Sequence, residues 1–322
     1  MAKTTVIIPN YNGMKYLNNC IEKVLASDVE VDIIVVDNGS TDGSLELAVN
    51  TYPTIKAIEL GYNTGFCHAV NVGIYNAKTP YVFLLNDDAY VTTEAIRKLE
   101  WVLDKDPKCF SVQAKMLKMF EEDIIDSIGD EYCALGWAFP KGQGRKDCNG
   151  ASKVKCTFSA CAGAAMYRRQ LFKEIGFFDE NHFAYLEDVD IGYRAMIHGY
   201  RNRVHLGAVV YHAGSATTGS RHNDFKVRSA ARNNLYLLYK NMPLGQLILN
   251  LPLIELGIII KLIYFIRLGL GGSYFKGLMQ GIGISLSTKG RANKVGFKKD
   301  SLANYVAIQM LLYINIVRRF LK

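Results

Sequence analysis

Three short stretches of this sequence place carboxylates or an imidazole where chemistry could be done. In Asn86-Asp87-Asp88, two adjacent carboxylates follow the apolar run Tyr81 to Leu85. At a strand exit they repel one another unless a cation or donor is present, and a hard divalent ion such as Mg²⁺ or Mn²⁺ suits the place, with substrate phosphates supplying further oxygens. A solvated acidic turn is the competing reading. Glu187-Asp188-Val189-Asp190 follows Phe183-Ala184-Tyr185-Leu186 and opens a helical stretch from Ile191 to His198. Carboxylates at a helix start complement the macrodipole, which explains part of this cluster. Three of them beside aromatic side chains also suit a general base, because an apolar surround raises a carboxylate's proton affinity. His212 closes Val209-Val210-Tyr211 and precedes Ala213-Gly214-Ser215. It is a candidate metal ligand, with an ordinary surface or core histidine as the alternative. No convincing Ser/His/Asp or Cys/His set points to a covalent nucleophile.

These residues need a frame. β-Branched runs at Thr4 to Ile8, Val31 to Val36, Lys56 to Leu60 and Tyr81 to Leu85 alternate with helical stretches at Lys15 to Ala26, Ser44 to Thr51 and Phe66 to Asn76. That alternation predicts parallel strands joined by right-handed crossovers in an open α/β sheet. Ligands of such sheets bind beyond the carboxyl ends of the strands. The unusual loops lie there: Pro9-Asn10-Tyr11-Asn12-Gly13, Asp37-Asn38-Gly39-Ser40-Thr41-Asp42-Gly43, Gly61-Tyr62-Asn63-Thr64-Gly65 and Asn86-Asp87-Asp88. The second is also good turn and N-cap chemistry in its own right. Residues 120–155 show no clear period, so an irregular insertion is expected there, with regular structure resuming near Cys156.

Composition narrows the setting. The seven cysteines form no CxxC pair and lie between Cys20 and Cys161. That is a poor disulfide framework or zinc site and fits a reducing cytoplasm. The chain runs from Met1 into a strand without an apolar secretory leader, so the N-terminus is expected to stay where it is made. The net charge of +8 conceals an asymmetry: residues 1–225 carry 23 basic against 28 acidic side chains, residues 226–322 carry 15 against 2. A basic, apolar final third predicts an anionic lipid surface or nucleic acid as neighbour, a solvated basic face being the bland alternative. Within it, Leu244 to Ile266 is the most apolar run, interrupted by Pro252, Glu255 and Lys261, and Leu302 to Lys322 repeats the theme. A central carboxylate is costly in a spanning helix, so helices lying in the membrane interface are the expectation, with a transmembrane hairpin or a dimerisation domain as rivals.

Taken together, the motifs resemble a family. Pro9-Asn10-Tyr11-Asn12, Val35 through Gly43, Asn63-Thr64-Gly65-Phe66, Leu85-Asn86-Asp87-Asp88, Gly176-Phe177-Phe178-Asp179-Glu180 and Glu187-Asp188-Val189-Asp190 resemble, in order, family 2 glycosyltransferases of the GT-A fold. The order is most similar to the bacterial rhamnosyltransferase and galactofuranosyltransferase branch, and the likeness covers about residues 4–240. It implies a Rossmann-like, mostly parallel sheet flanked by helices, with a catalytic domain at 1–225 and a basic, apolar helical region at 226–322 for membrane association or oligomerisation. It implies that Asp37 accepts from a pyrimidine base, that Pro9, Asn10 and Asn12 line the nucleoside pocket, and that Asn63, Gly65 and Phe66 close it. Asp87 would touch the ribose, Asp88 and His212 would hold a divalent metal, and Asp188 would be the general base. Asn86 departs from the family's frequent Asp-x-Asp.

The implied activity is inverting transfer of a hexose from a nucleoside diphosphate sugar to a hydroxyl of a growing, lipid-linked cell-surface glycan, on the cytoplasmic face of the cell membrane. L-Rhamnose from dTDP-rhamnose is the donor expected from the resemblance alone, with UDP-hexoses open. Neither Trp101 nor Trp137 stands in the Gln-x-x-Arg-Trp setting of processive synthases, so addition of one or a few sugars is expected. Rival readings are a catalytically silent nucleotide-sugar binding or scaffolding protein and a basic nucleic-acid binder. The latter has no recognition motif and is not expected.

Overall fold

Short β-branched runs, each followed by a helix, hide their apolar residues most simply by pairing in parallel beneath those helices. The computed structural model describes residues 1–147, 153–214 and 222–320; Cys148, Ser215 and Leu321-Lys322 of the sequence motifs lie outside them. In chain order the first half contains β1 (Thr4–Asn10), α1 (Leu17–Leu25), β2 (Val31–Asp37), α2 (Ser44–Thr51), β3 (Lys56–Glu59), α3 (Phe66–Asn76), β4 (Tyr81–Leu85), β5 (Ala89–Val91), α4 (Ala95–Lys105), β6 (Cys109–Lys118), β7 (Glu121–Ser127), β8 (Asp130–Cys133) and β9 (Trp137–Pro140). The second half contains β10 (Val154–Thr157), β11 (Ala164–Arg168), α5 (Phe172–Ile175), α6 (Glu187–Ile197), β12 (Arg201–His212), α7 (Asp224–Asn241), α8 (Leu244–Arg267), α9 (Gly271–Leu286), α10 (Thr288–Ala292) and α11 (Leu302–Phe320).

The main sheet runs β10-β12-β6-β11-β4-β1-β2-β3, with β5 on β12 and β7 on β6. β3, β2, β1 and β4 are parallel as expected. β11 is inserted antiparallel between β4 and β6, and β12 returns parallel to β6. Alternate residues of one strand serve opposite layers. Val6 and Ile8 pack with Ile21 and Val24 of α1 and Leu99 of α4. Ile7 packs with Val70 and Ile74 of α3 and Ile191 of α6.

A third cluster joins this body to the final third: Val189, Tyr193 and Ile197 of α6 meet Leu237 and Leu238 of α7, Ile254 of α8, and Ile308 and Leu312 of α11.

One expectation is corrected. Residues 120–147 and 153–155 are not irregular, for they hold β7, β8 and β9 and the start of β10. β7 pairs antiparallel with β6 just before it, and β8 with β9 just after it, so two hairpins order a stretch whose own composition has no period. Helices are expected over Leu244 to Ile266, and Pro252, Glu255 and Lys261 lie within one of them. α8 is one helix of 24 residues, long and apolar enough by length and composition to cross a membrane, and only 17% of its most apolar window is buried.

Candidate active site

The parallel register sets Asn10 beside Asp37 at the carboxyl ends of β1 and β2. Asn10 Nδ2 donates to Asp37 Oδ1 (2.7 Å), Ser44 Oγ (2.9 Å) and Ser40 Oγ (3.0 Å). Asp37 Oδ2 accepts from the backbone N–H groups of Ser40 (2.9 Å) and Gly39 (3.2 Å). Gly39 has φ +79°, and a Cβ there would stand 2.5 Å from the Tyr62 Cα, so the second and third loops meet only because this residue has no side chain. Asn12 Oδ1 accepts from Thr41 N–H (2.9 Å). Asn38 ties the third loop, its Oδ1 accepting from Thr64 N–H (2.8 Å) and its Nδ2 donating to Asn63 (3.1 Å).

Over these loops opens a cavity of about 430 Å³ lined by Pro9, Asn10, Tyr11, Asn38, Asn63, Gly65, Phe66, Asn86, Asp87, Asp88, Phe183, Ala184, Tyr185, His212, Phe225 and Lys226. Eight of the sequence-derived candidates therefore share one hollow. Asp37, Asn12 and Asp188 do not line it; the first two brace the loop beneath, and Asp188 lies beside Asp130 and Cys161.

At one end of the cavity His212 Nε2 lies 3.3 Å from Asp88 Oδ1, while its Nδ1 lies 2.8 Å from Asp126 Oδ2. β12 pairing with β5 brings this about, because it sets His212 opposite Ala89, next to Asp88. Burial disfavours the imidazolium, but the hydrogen bonds to Asp126 and Asp88 outweigh it and push His212 up to about 10. Burial and the neighbouring Asp88 charge push Asp87 up to about 7. With Nδ1–H donated to Asp126, a divalent ion taking the place of the proton between Nε2 and Asp88 would find an imidazole nitrogen and a carboxylate oxygen, a donor set that fits it. A cation there would relieve the crowding of negative charge that raises Asp87.

The second half of the site is the start of α6. Phe183, Tyr185 and Leu186 carry φ of 63°, 74° and 65°. These positions are strained for side chains of this size and persist only where the surroundings over-determine them. α7 supplies the restraint: Asn233 Nδ2 lies within 2.9 Å of the carbonyls of His182, Ala184 and Tyr185, and Arg232 donates to the carbonyls of Asn181 and His182. Gly65 completes the fit from α3, since a Cβ there would stand 2.5 Å from the Phe183 ring.

Asp188 and Asp190 then part company. Asp190 is fully buried, receiving Arg194 (2.8 Å), Lys240 (2.8 Å) and Asn241 (2.8 Å). Burial opposes its charge, yet Arg194 and Lys240 hold its carboxyl well below the usual range. Asp188 is only half-buried and accepts from Val189 N–H (2.7 Å). Burial raises its proton affinity, moderated by a hydrogen bond from Asp130. Burial, and then Asp188 itself, push Asp130 well above the carboxylate range, so Asp130 is the protonated partner. Burial and Asp188 also raise Glu187 to about 8.

Asp130, Cys161 and Asp188 place ligand atoms within 4.8 Å of one another, a spacing a metal ion could use. Two carboxyls joined by a proton and a thiol kept protonated by burial make a better proton-sharing group than a metal cage.

Sequence reading missed Asp126, Asp130 and the α7 pair Arg232 and Asn233. Asp126 and Asp130 lie in the segment read as irregular, where nothing local marks them. Arg232 and Asn233 sit on a helix read for its charge alone.

Fold and site together define a class: the chain belongs to glycosyl transferase family 2, whose family model matches residues 5–176. Over 240 residues it is 27% identical to the N-acetylglucosaminyl-diphospho-decaprenol L-rhamnosyltransferase of Mycobacterium tuberculosis, covering 66% of this chain and 77% of that protein. A shorter stretch of 101 residues is 34% identical to the teichoic acid poly(glycerol phosphate) polymerase of Staphylococcus epidermidis, covering 30% of this chain and 14% of that one. The family and the rhamnosyltransferase-like branch expected from the motifs are thereby supported.

Among solved structures, GalNAc-T7 with UDP, GalNAc and Mn²⁺ superposes with a TM-score of 0.62 at 14% identity, over 74% of this chain and 48% of that one. The mannosyltransferase PcManGT from Pyrobaculum calidifontis, in complex with GDP-Man and Mn²⁺, gives 0.54 at 16% identity over 96% and 87%. At these identities the likeness establishes the fold.

Proposed function

We propose that this chain is an inverting, divalent-metal-dependent hexosyltransferase that moves L-rhamnose from dTDP-rhamnose to a hydroxyl of a lipid-linked cell-surface glycan. The observation that carries this reading is one cavity bounded by the loops of Asn10, Asn38 and Asn63 on one side and by Asp88 and His212 on the other, with Asp188 at the start of the adjoining helix. Pro9, Asn10, Asn63, Gly65 and Phe66 enclose the nucleoside, Asp37 and Asn12 hold the loop against which its base rests, and Asp87 contacts the ribose. Asp88 and His212 hold Mg²⁺ or Mn²⁺, which when bound neutralises charge on a diphosphate leaving group. Asp188 removes the acceptor's proton as its oxygen attacks the anomeric carbon from the face opposite the leaving group, and a single displacement inverts the configuration. Asp130 orients Asp188 and shares its proton. The donor, whose name comes from the similarity to the mycobacterial enzyme, is tested by thermal shift against a panel of nucleotide sugars with Mn²⁺ or Mg²⁺. dTDP-rhamnose should raise the melting temperature most, and stabilisation by UDP-hexoses alone would replace it.

Residues 1–225 carry the chemistry in this reading and residues 226–322 associate with the cytoplasmic face of the membrane, with α7 as the joint. Three helices turn apolar stripes outward: Ile248, Ile259 and Ile263 on α8, Phe275, Met279 and Ile282 on α9, and Leu302, Val306 and Met310 on α11 are all exposed. Such stripes beside an excess of cations suit a helical surface lying on anionic lipid, and the same stripes could join two copies of the chain. High salt or alkaline carbonate should release the protein from membranes. Release by detergent alone would make α8 a spanning helix.

A further inference from the structure

A second and larger hollow lies outside the donor cavity. Its volume is about 630 Å³, its floor is apolar through Ile125, Ile128, Phe139 and Leu206, and its walls carry seven cationic side chains against two carboxylates. Those two carboxylates are already engaged. Glu131, 1% exposed, receives Asn315 (3.0 Å), Lys141 (3.4 Å) and Arg318 (3.5 Å), and Asp147 pairs with Lys115. Arg145, Lys155 and Arg319 have no carboxylate partner among the described residues; Arg319 lies over the Phe139 ring at 5.5 Å. A concave site with an apolar floor and unneutralised cations, two of them guanidinium forks, selects an amphiphile whose polar end is a phosphate.

The surroundings say where such a molecule comes from. Phe139 lies on β9, and two residues earlier Trp137 donates Nε1–H to the Gly257 carbonyl of α8 (3.1 Å), with Lys261 over its ring at 5.7 Å. The hollow is thus one strand away from the exposed apolar face of α8. An indole at that boundary is a usual marker of headgroup depth in a bilayer. Neighbouring residues of β7 and β8 face opposite ways. Asp126 and Asp130 reach His212 and Asp188, whereas Ile125 and Glu131 line the hollow. The two sites stand back to back across one layer of strands, so a ligand here does not compete with the donor.

We propose that this hollow binds the phosphate or diphosphate headgroup of a membrane lipid, its phosphate between Arg145, Lys155 and Arg319 and its chain directed along α8. The site is independent of the donor cavity, and its test does not use sugar transfer, so either reading can fail alone. The full chain carrying Arg145→Gln, Lys155→Gln and Arg319→Gln together is compared with wild type and with a charge-matched control, Lys276→Gln, Lys289→Gln and Arg291→Gln. Three probes are used: phosphatidylcholine vesicles doped with phosphatidylglycerol, farnesyl diphosphate in neutral detergent, and inorganic pyrophosphate. Circular dichroism and donor affinity, unchanged in both variants, exclude misfolding.

The cavity variant should bind one or both lipid probes roughly tenfold or more weakly than the control does, and pyrophosphate should bind wild type far more weakly than farnesyl diphosphate. Cavity-dependent loss confined to phosphatidylglycerol vesicles assigns the site to a phospholipid, and loss confined to farnesyl diphosphate assigns it to a prenyl diphosphate; each supports the proposal. Equal losses in the cavity and control variants would reduce the effect to diffuse charge and overturn it. So would pyrophosphate binding as tightly as farnesyl diphosphate, or no cavity-dependent binding of either lipid.

Discussion

Asp188 and Asp190 stand two residues apart on one helix and occupy opposite electrostatic worlds. On a helix two residues turn the side chain by about 200°, so one faces Asp130 and Cys161 and the other the packed junction with α7. Asp190 is clamped by Arg194, Lys240 and Asn241, which makes it a fixed charge with no appetite for a proton. Asp188, half-buried and sharing a hydrogen bond with protonated Asp130, has its proton affinity raised instead. Carboxylates of one cluster can thus divide structure from chemistry, and the division comes from what each faces.

The comparison is broken most directly at Asp188. Asp188→Asn should lower sugar transfer by roughly 10²- to 10⁴-fold while donor affinity changes little, since the amide keeps the volume but not the basicity. Wild-type turnover in this variant, with Glu187→Gln inactive, would move the base by one residue.

Asp190→Asn should do the reverse. Removing one partner of a buried ion-pair network costs about 3–5 kcal/mol, read as a lowered denaturant midpoint. Because the folded-state proton affinity of Asp190 is depressed, its stabilising contribution is present above the ordinary carboxylate value and is lost only as pH falls well below it. A variant that stays as stable as wild type but no longer turns over would merge the two roles.

Asp126→Asn sharpens the parallel contrast at the other carboxylate pair. In the proposed site Asp126 would reach a metal ion only through His212, so metal affinity measured by calorimetry should fall about 10- to 100-fold, whereas Asp88→Ala should abolish metal-dependent donor binding.

The smallest effect belongs to Asp130. Its hydrogen bond lowers the proton affinity of Asp188, so Asp130→Ala should shift the acid limb of the pH–rate profile upward. Asp130→Asn, which can still donate, should restore most of the wild-type profile. An acid limb unmoved in the alanine variant would remove Asp130 from the proton-sharing pair.

What could be read along the chain was local. α2 and α3 begin and end where periodicity and turn residues place them, and four strand ends bear polar loops because Asn, Asp and Gly carry turn chemistry within a few residues. The order of those loops was enough to expect the family and to gather Asn10, Asn63, Gly65, Asp87 and Asp88 into one hollow. His212 was legible as a candidate but not its setting. Its partner Asp126 lies 86 residues away on a strand that no period announces, and only antiparallel pairing with β6 brings it near.

Composition, turn chemistry and alternation therefore determine the parallel half of the sheet and the identity of the polar loops, because each rests on interactions spanning a few residues. Tertiary structure decides which carboxylate has a raised proton affinity and which is an anchored charge. Proton affinity depends on burial and on charges within a few ångströms, and in this chain those charges come from Arg194 one turn along α6 and, far along the sequence, from β8 and α7. The same holds for the basic hollow behind β8. Lys115, Arg145, Lys155 and Arg319 are scattered over two hundred residues and become one surface only after the strands and α11 have packed.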